Sequence, residues 1–225
     1  MARLPGAAGL GLVAPPSAGS VPVAGLADPV VVGELVTARA RALRAAEPRV
    51  AATVWWYSAS AVLLAPPLAG LVVGVPLSAR PADLSLSVGP GGLPVAATST
   101  ALGIDPGPEL RELLTAVIGA VAEVGGLRER PLWAIATDSL ATGLLTLGRV
   151  LGAVPAVTGL AGRLAEAVGP PLPEPRYEDV AGSRFVRRAS CCLVYRLPGG
   201  PLCTSCPRRT PAERAALLER AATRR

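Results

Sequence analysis

The chain contains no histidine, lysine, asparagine or glutamine. Without histidine there is no Ser-His-Asp triad, no H-E-x-x-H zinc site, no Rieske centre and no His-ligated haem. Without lysine there is no P-loop lysine and no Schiff-base chemistry. Aromatic residues make up only 3% of the 225 residues, so the core must be built from Ala, Leu and Val. Chemistry is left to Cys, carboxylates, Tyr, Ser, Thr and Arg. Apolar residues reach 51%, enough for a sizeable core.

All 22 basic residues are Arg, against 16 Asp and Glu, for a net charge of +6. A coding bias that replaces Lys by Arg and amides by Ala, Gly and Pro accounts for the composition. Nucleic-acid binding would call for basic residues interleaved with aromatics. Here the Arg are scattered, with pairs at Arg187-Arg188, Arg208-Arg209 and Arg224-Arg225, and no nucleic-acid partner is expected. The positive surplus would attract anions or acidic electron-transfer proteins.

The mean hydropathy of +0.46 raises the question of a membrane span. The longest uncharged stretch follows Arg49 and runs from Val50 to Ala79. A span needs about 20 residues. Pro66-Pro67 splits the stretch near its middle, and two helices packed in a core are expected instead. The N-terminus lacks a compact Leu-rich segment, which argues against a signal peptide. The expected location is cytoplasmic, with membrane association at most peripheral.

The periodicities predict a predominantly helical α+β protein. Residues 1–28 read as a Gly/Pro-rich irregular leader and residues 29–168 as an aliphatic helical body. Within the body, Leu84, Leu86 and Val88 alternate with Ser85 and Ser87. Gly89-Pro90-Gly91-Gly92 and a second alternation follow, so a β-hairpin is expected near 84–97. A Pro-rich stretch, 169–176, reads as a linker. Residues 177–225 then form a small C-terminal module that contains all four cysteines.

Those cysteines are Cys191, Cys192, Cys203 and Cys206, spaced C-C-x10-C-x2-C. Four thiolates form a full ligand set for zinc or for an iron–sulfur cluster. Disulfides are disfavoured by the expected compartment. A structural zinc site usually uses two C-x2-4-C knuckles. Cys203 and Cys206 could make one, but adjacent cysteines diverge unless the backbone bends sharply. A two-iron cluster accepts divergent neighbours more readily, so spacing alone puts it modestly ahead of zinc.

The run Cys191-Cys192-Leu193-Val194-Tyr195-Arg196-Leu197-Pro198-Gly199-Gly200, with Cys203-Thr204-Ser205-Cys206-Pro207, resembles the C-terminal motif of the FhuF-like ferric-siderophore reductases. The likeness covers about the last forty residues. The Trp-containing apolar segment from Trp55 to Pro66-Pro67 weakly resembles the N-terminal half of such proteins. The resemblance implies a [2Fe–2S] cluster on Cys191, Cys192, Cys203 and Cys206, with no catalytic residue beyond the cluster. It implies one-electron reduction of ferric siderophores, usually hydroxamates, in the cytoplasm. The expected partners are a ferric siderophore and a reduced donor such as a ferredoxin, flavodoxin or flavin reductase. The alternatives are an iron–sulfur electron-transfer or redox-sensing protein without its own substrate, and a zinc-stabilised binding module.

Around the motif, Arg187, Arg188 and Arg196 would raise the potential of a negatively charged four-thiolate centre, or form a solvated basic surface. Tyr195 is expected to pack over the cluster, and Pro198-Gly199-Gly200 to turn the chain so that the two cysteine pairs meet. Thr210, Pro211 and Glu213 form a capping-box start for a last helix that docks the module. Of Trp55, Trp56 and Tyr57, at least two are expected in the core.

Overall fold

The computed structural model describes residues 9–224. Residues 1–8 of the expected leader lie outside the described residues. The fold is a predominantly helical α+β protein. A three-stranded antiparallel sheet, β1 (Gly19–Pro22), β2 (Leu84–Gly89) and β3 (Leu93–Ser99), packs against α2 (Pro48–Val72), while α1 (Pro29–Leu43) meets the turn between β2 and β3 and α3 (Pro106–Gly125) meets the 3-10 turn that follows β1. Then come α4 (Glu129–Val150), α5 (Val154–Thr158), α6 (Leu160–Val168), a hairpin of β4 (Tyr177–Val180) and β5 (Ser183–Val186), and α7 (Pro211–Thr223).

The expectation of an irregular segment up to residue 28 fails from Gly19 onward. β1 pairs with β2, Gly19 opposite Val88 and Val21 opposite Leu86. A 3-10 turn over Val23–Ala27 then buries Val23 and Leu26 completely. Glycine and proline marked turns at the ends of this segment, but Val21, Val23 and Leu26 carry enough apolar surface to dock it. Even the Gly11 carbonyl accepts from the Ala97 N–H at 3.0 Å.

The split at Pro66-Pro67 does not occur either. α2 runs unbroken through both prolines. Each proline weakens a helix interior by about 3 kcal/mol relative to alanine. Against this stand the fully buried side chains of Trp55, Trp56, Leu63, Leu64 and Leu68, each aliphatic one contributing about 1.5–3 kcal/mol. Packing on every side therefore overrides local preference. By length and composition α2 could cross a bilayer, yet 67% of its most apolar window is buried within the fold.

α2 and α4 form the central helix pair. The Trp56 indole N–H donates to the Leu132 carbonyl at 2.8 Å, and the hydroxyls of Ser60 and Ser139 meet at 2.8 Å in the interior. The Pro-rich stretch between the body and the cysteines is pinned to the body rather than loose. Leu172 is buried, and the Thr137 hydroxyl donates to the Pro173 carbonyl at 3.0 Å. The hairpin beyond it also rests on α4: the Tyr177 hydroxyl donates to the Ala141 carbonyl at 3.0 Å, and Val186 packs on Ala141 and Leu145. The cysteine-bearing segment is thus laid against the helix pair.

Candidate metal centre

The cysteine segment is shaped by its backbone. Leu193 adopts a left-handed conformation (φ 58°) directly after the Cys191-Cys192 pair. This is the sharp bend that adjacent ligands require, and for a branched residue it carries strain of order 1–3 kcal/mol. It turns the N–H groups of Leu193 and Val194 toward the sulfurs of Cys191 and Cys192 respectively. Farther on, the chain reverses at Pro198-Gly199-Gly200. Gly199 has φ 71°, and a Cβ on Gly200 would lie 1.9 Å from the Val194 carbonyl oxygen, so the turn closes only on glycine. The returning segment is clamped by Arg209, which donates to the carbonyls of Leu202 (2.8 Å) and Cys203 (3.0 Å).

The turn brings the four cysteines together, all as free thiols. Cys192 interacts with Cys203, and Cys191 with Cys206. Cys192 and Cys206 are buried, while Cys191 and Cys203 are half-buried. The Cys192 thiol is held down to about 5, first by the hydrogen bond from Cys203, against the opposing effect of burial, and then by the Val194 N–H and Arg188. Cys203, which keeps the shared proton, is pushed up by that hydrogen bond and by burial. Burial also raises Cys191.

Arg188 supplies the positive charge. Its Nη1 donates to Cys203 Sγ at 3.6 Å, its Nε faces Asp138 Oδ2 at 3.4 Å, and its guanidinium lies over the Tyr57 ring at 4.9 Å. Burial opposes the charge, but Tyr57, Asp138, Cys192 and Cys203 hold the proton and the balance raises its pKa. The side chain is only 10% exposed, and its buried Nη2 has no partner.

Asp138, from the middle of α4, is the residue that sequence reasoning missed. It is 3% exposed. It accepts from the N–H groups of Ala189 (2.8 Å) and Ser190 (3.0 Å), from the Ser190 hydroxyl, and from Arg188. The three residues that lead into Cys191 are therefore fastened to the body by one carboxylate. A signal was available: Asp138 is the sole charge between Arg130 and Arg149 in an otherwise apolar helical pattern. Such a charge is rarely buried unless paired.

Other expected neighbours are placed differently. Trp55 and Trp56 are wholly buried in the core, and of the three aromatics only Tyr57 reaches the site. Arg196 pairs with Glu47 at 2.7 Å on the surface. Arg187 is exposed and ties its backbone to the Arg176 carbonyl. Tyr195 lies under the Arg208 guanidinium at 4.9 Å. The capping box forms at Thr210 and Glu213, and α7 docks through Leu218.

A cavity of about 430 Å³ opens beside Cys203, between α2 and α4. Its lining includes Tyr57, Arg188, Cys203 and Ser205, the small residues Ala61, Ala65 and Gly143, and Arg149.

The donor set fits a cysteine-ligated metal centre. Among the described residues no group of three or more His, Cys, Asp or Glu side chains is arranged to hold a single ion. The thiols stand instead as two pairs, and a [2Fe–2S] cluster takes four cysteines over two irons. The unpartnered Nη2 of Arg188, buried beside them, calls for an anionic acceptor.

Comparison with known proteins agrees with this class. Residues 188–208 match the model of the FhuF 2Fe-2S C-terminal domain, which supports a relationship to the FhuF-like family and indicates a [2Fe–2S] cluster as cofactor. No curated protein and no solved structure matched the chain.

Proposed function

We propose that Cys191, Cys192, Cys203 and Cys206 hold a [2Fe–2S] cluster, and that the protein reduces ferric siderophore complexes, of hydroxamate type, by one electron in the cytoplasm. The observation that carries this reading is the pairing of the four thiols within the segment of FhuF likeness, under a buried Arg188. When bound, the cluster supplies single electrons. Ferric iron is a hard cation held by hard oxygen donors, and ferrous iron is held less tightly, so one electron releases the metal.

The chain's own residues do the rest. Asp138 fixes the approach to the cysteines, and Arg188 places a fixed positive charge where negative charge accumulates on reduction. Tyr57 backs the guanidinium. The cavity beside Cys203 takes the outer face of the ferric complex: its apolar lining residues suit the complex's hydrocarbon arms, and Arg149 and Ser205 suit its oxygens. Neither histidine nor lysine is needed, because the reduction requires no acid–base group.

The test begins with protein purified anaerobically. Iron, acid-labile sulfide and zinc are assayed with the visible spectrum, before and after dithionite. Equal iron and sulfide, bleaching on reduction, and return of colour on adding a ferric hydroxamate with release of ferrous iron are expected. Colour that does not return would leave an electron carrier without its own substrate. A colourless protein with one zinc after reconstitution would sink the reading.

A further inference from the structure

Beside the residues that lead into Cys191 lies a second concavity, of about 310 Å³, whose rim is basic. Arg130 enters it from the first turn of α4, Arg176 from the end of the Pro-rich stretch, and Arg187 from just beyond β5. All three are exposed. None of the three guanidiniums has an ion-pair or hydrogen-bond partner among the described residues. Glu174 is the one acid on the rim. The backbone bond from Arg187 N–H to the Arg176 carbonyl, 2.9 Å, holds two of the arginines side by side. The floor is the Asp138–Arg188 pair, and Arg188 is the residue that reaches Cys203 Sγ at 3.6 Å. One side chain therefore separates the basic rim from the thiols.

Unpaired cations raise folding free energy through mutual repulsion and find no compensation inside this chain. Three of them, drawn from separate elements onto one concave face beside the redox centre, fit an external partner with the opposite charge. Exposed rim charges act mainly on encounter rate and orientation, as suits a transient complex. A one-electron reductase must be recharged after each turnover, by a partner that docks close to the centre and leaves again.

We propose that the Arg130, Arg176 and Arg187 face is the docking site for an acidic one-electron carrier protein. This rests on the reductase reading above. In each encounter one electron leaves the carrier and one arrives on this chain, and no atom is transferred. The carboxylates of the carrier sit between the three guanidiniums. The other cavity, beside Cys203, is lined by a largely different set of residues and is left for the ferric complex.

The experiment uses the cluster-loaded full chain and an acidic flavodoxin as probe. Binding of the oxidised flavodoxin is measured by calorimetry, and reduction by its hydroquinone form by stopped flow. Both are done at low salt and at about 0.15 M salt, where screening sets in within about 8 Å. The cationic methyl viologen radical serves as a small reductant for reference. In the triple variant R130E/R176E/R187E, binding should weaken at least tenfold at low salt. The ratio of the flavodoxin rate to the viologen rate should fall at least tenfold. In the wild type that ratio should drop with salt. A chain that the viologen radical cannot reduce overturns the reductase reading and the donor site with it. A chain that it reduces, but whose flavodoxin binding and rate ratio ignore the three charges, overturns the donor site alone. Tight binding of inorganic phosphate that blocks nothing in the flavodoxin assay would make the concavity a small-anion site and overturn it as well.

Discussion

Asp138→Ala should destabilise the protein by about 3–5 kcal/mol, the range for removing one partner of a buried ion pair. Arg188 would be left with its side chain 10% exposed and without its carboxylate partner. The N–H groups of Ala189 and Ser190 would lose an acceptor at 2.8 and 3.0 Å, and hydrogen bonds to charged groups are worth about 1.5–3 kcal/mol each. These losses overlap, because the freed segment can reach water, so the ion-pair range is the better guide to the total. Asp138→Asn keeps one carbonyl acceptor, turns an N–H toward the remaining donors, and should lie between the wild type and alanine. Urea unfolding of the cluster-free protein gives the stability, and thiol labelling of the same samples gives the freedom of the cysteine segment. In the alanine variant Cys192 and Cys206, buried in the wild type, should label at least tenfold faster, and iron–sulfur reconstitution should yield less cluster per chain. A variant within about 0.5 kcal/mol of the wild type, with unchanged labelling, would refute the reasoning that this carboxylate fastens the segment.

Three further outcomes are expected. Arg188→Leu should lower the cluster's reduction potential by on the order of 60 mV, a tenfold change in a one-electron equilibrium, because a positive charge beside the thiolates is lost; spectroelectrochemical titration reads it. Gly200→Ala should reduce cluster incorporation severely, since its Cβ would lie 1.9 Å from the Val194 carbonyl oxygen, while Gly182→Ala, a left-handed glycine of the β4–β5 turn with open space around it, should leave iron content near wild type in the same reconstitution assay. Glu109, 4% exposed, has its carboxylate held below the usual range: burial opposes this, but the N–H groups of Ile104 and Ala79 outweigh it. A depressed carboxylate pKa contributes stability that is present above the unfolded value and lost as pH falls through the folded one, so the stability gap between wild type and Glu109→Gln should be full at pH 7 and should close on acidification below about 4, followed by denaturant unfolding across that range.

The helices were legible wherever one face was apolar at helical spacing and a capping residue stood before it, as at Asp105 for α3 and Thr210 for α7. The β2–β3 hairpin was legible from Leu84, Leu86 and Val88 and the glycine turn after them. α2 was read as two pieces because Pro66 and Pro67 speak for local geometry, while the burial that overrides them belongs to the tertiary structure. β1 was hidden for the opposite reason: a four-residue strand flanked by Gly and Pro has too little pattern of its own, and its partners in β2 are more than 60 residues away in the chain. The cysteines announced themselves by spacing. Their surroundings did not, because Arg188, Tyr57 and Asp138 come from three distant parts of the chain.

The fastening of the cysteine segment to Asp138 also has a bearing on the order of events in biogenesis. The chain is made from its N-terminus, so α2 and α4, which present Tyr57 and Asp138, leave the ribosome well before the cysteines do. When Cys191 to Cys206 emerge, the receiver for them has already been synthesised, and the thiols pass from an extended nascent chain onto a prepared seat. Iron delivered earlier would meet only flexible thiols without Arg188 in place. Iron delivered later would find four sulfurs already gathered.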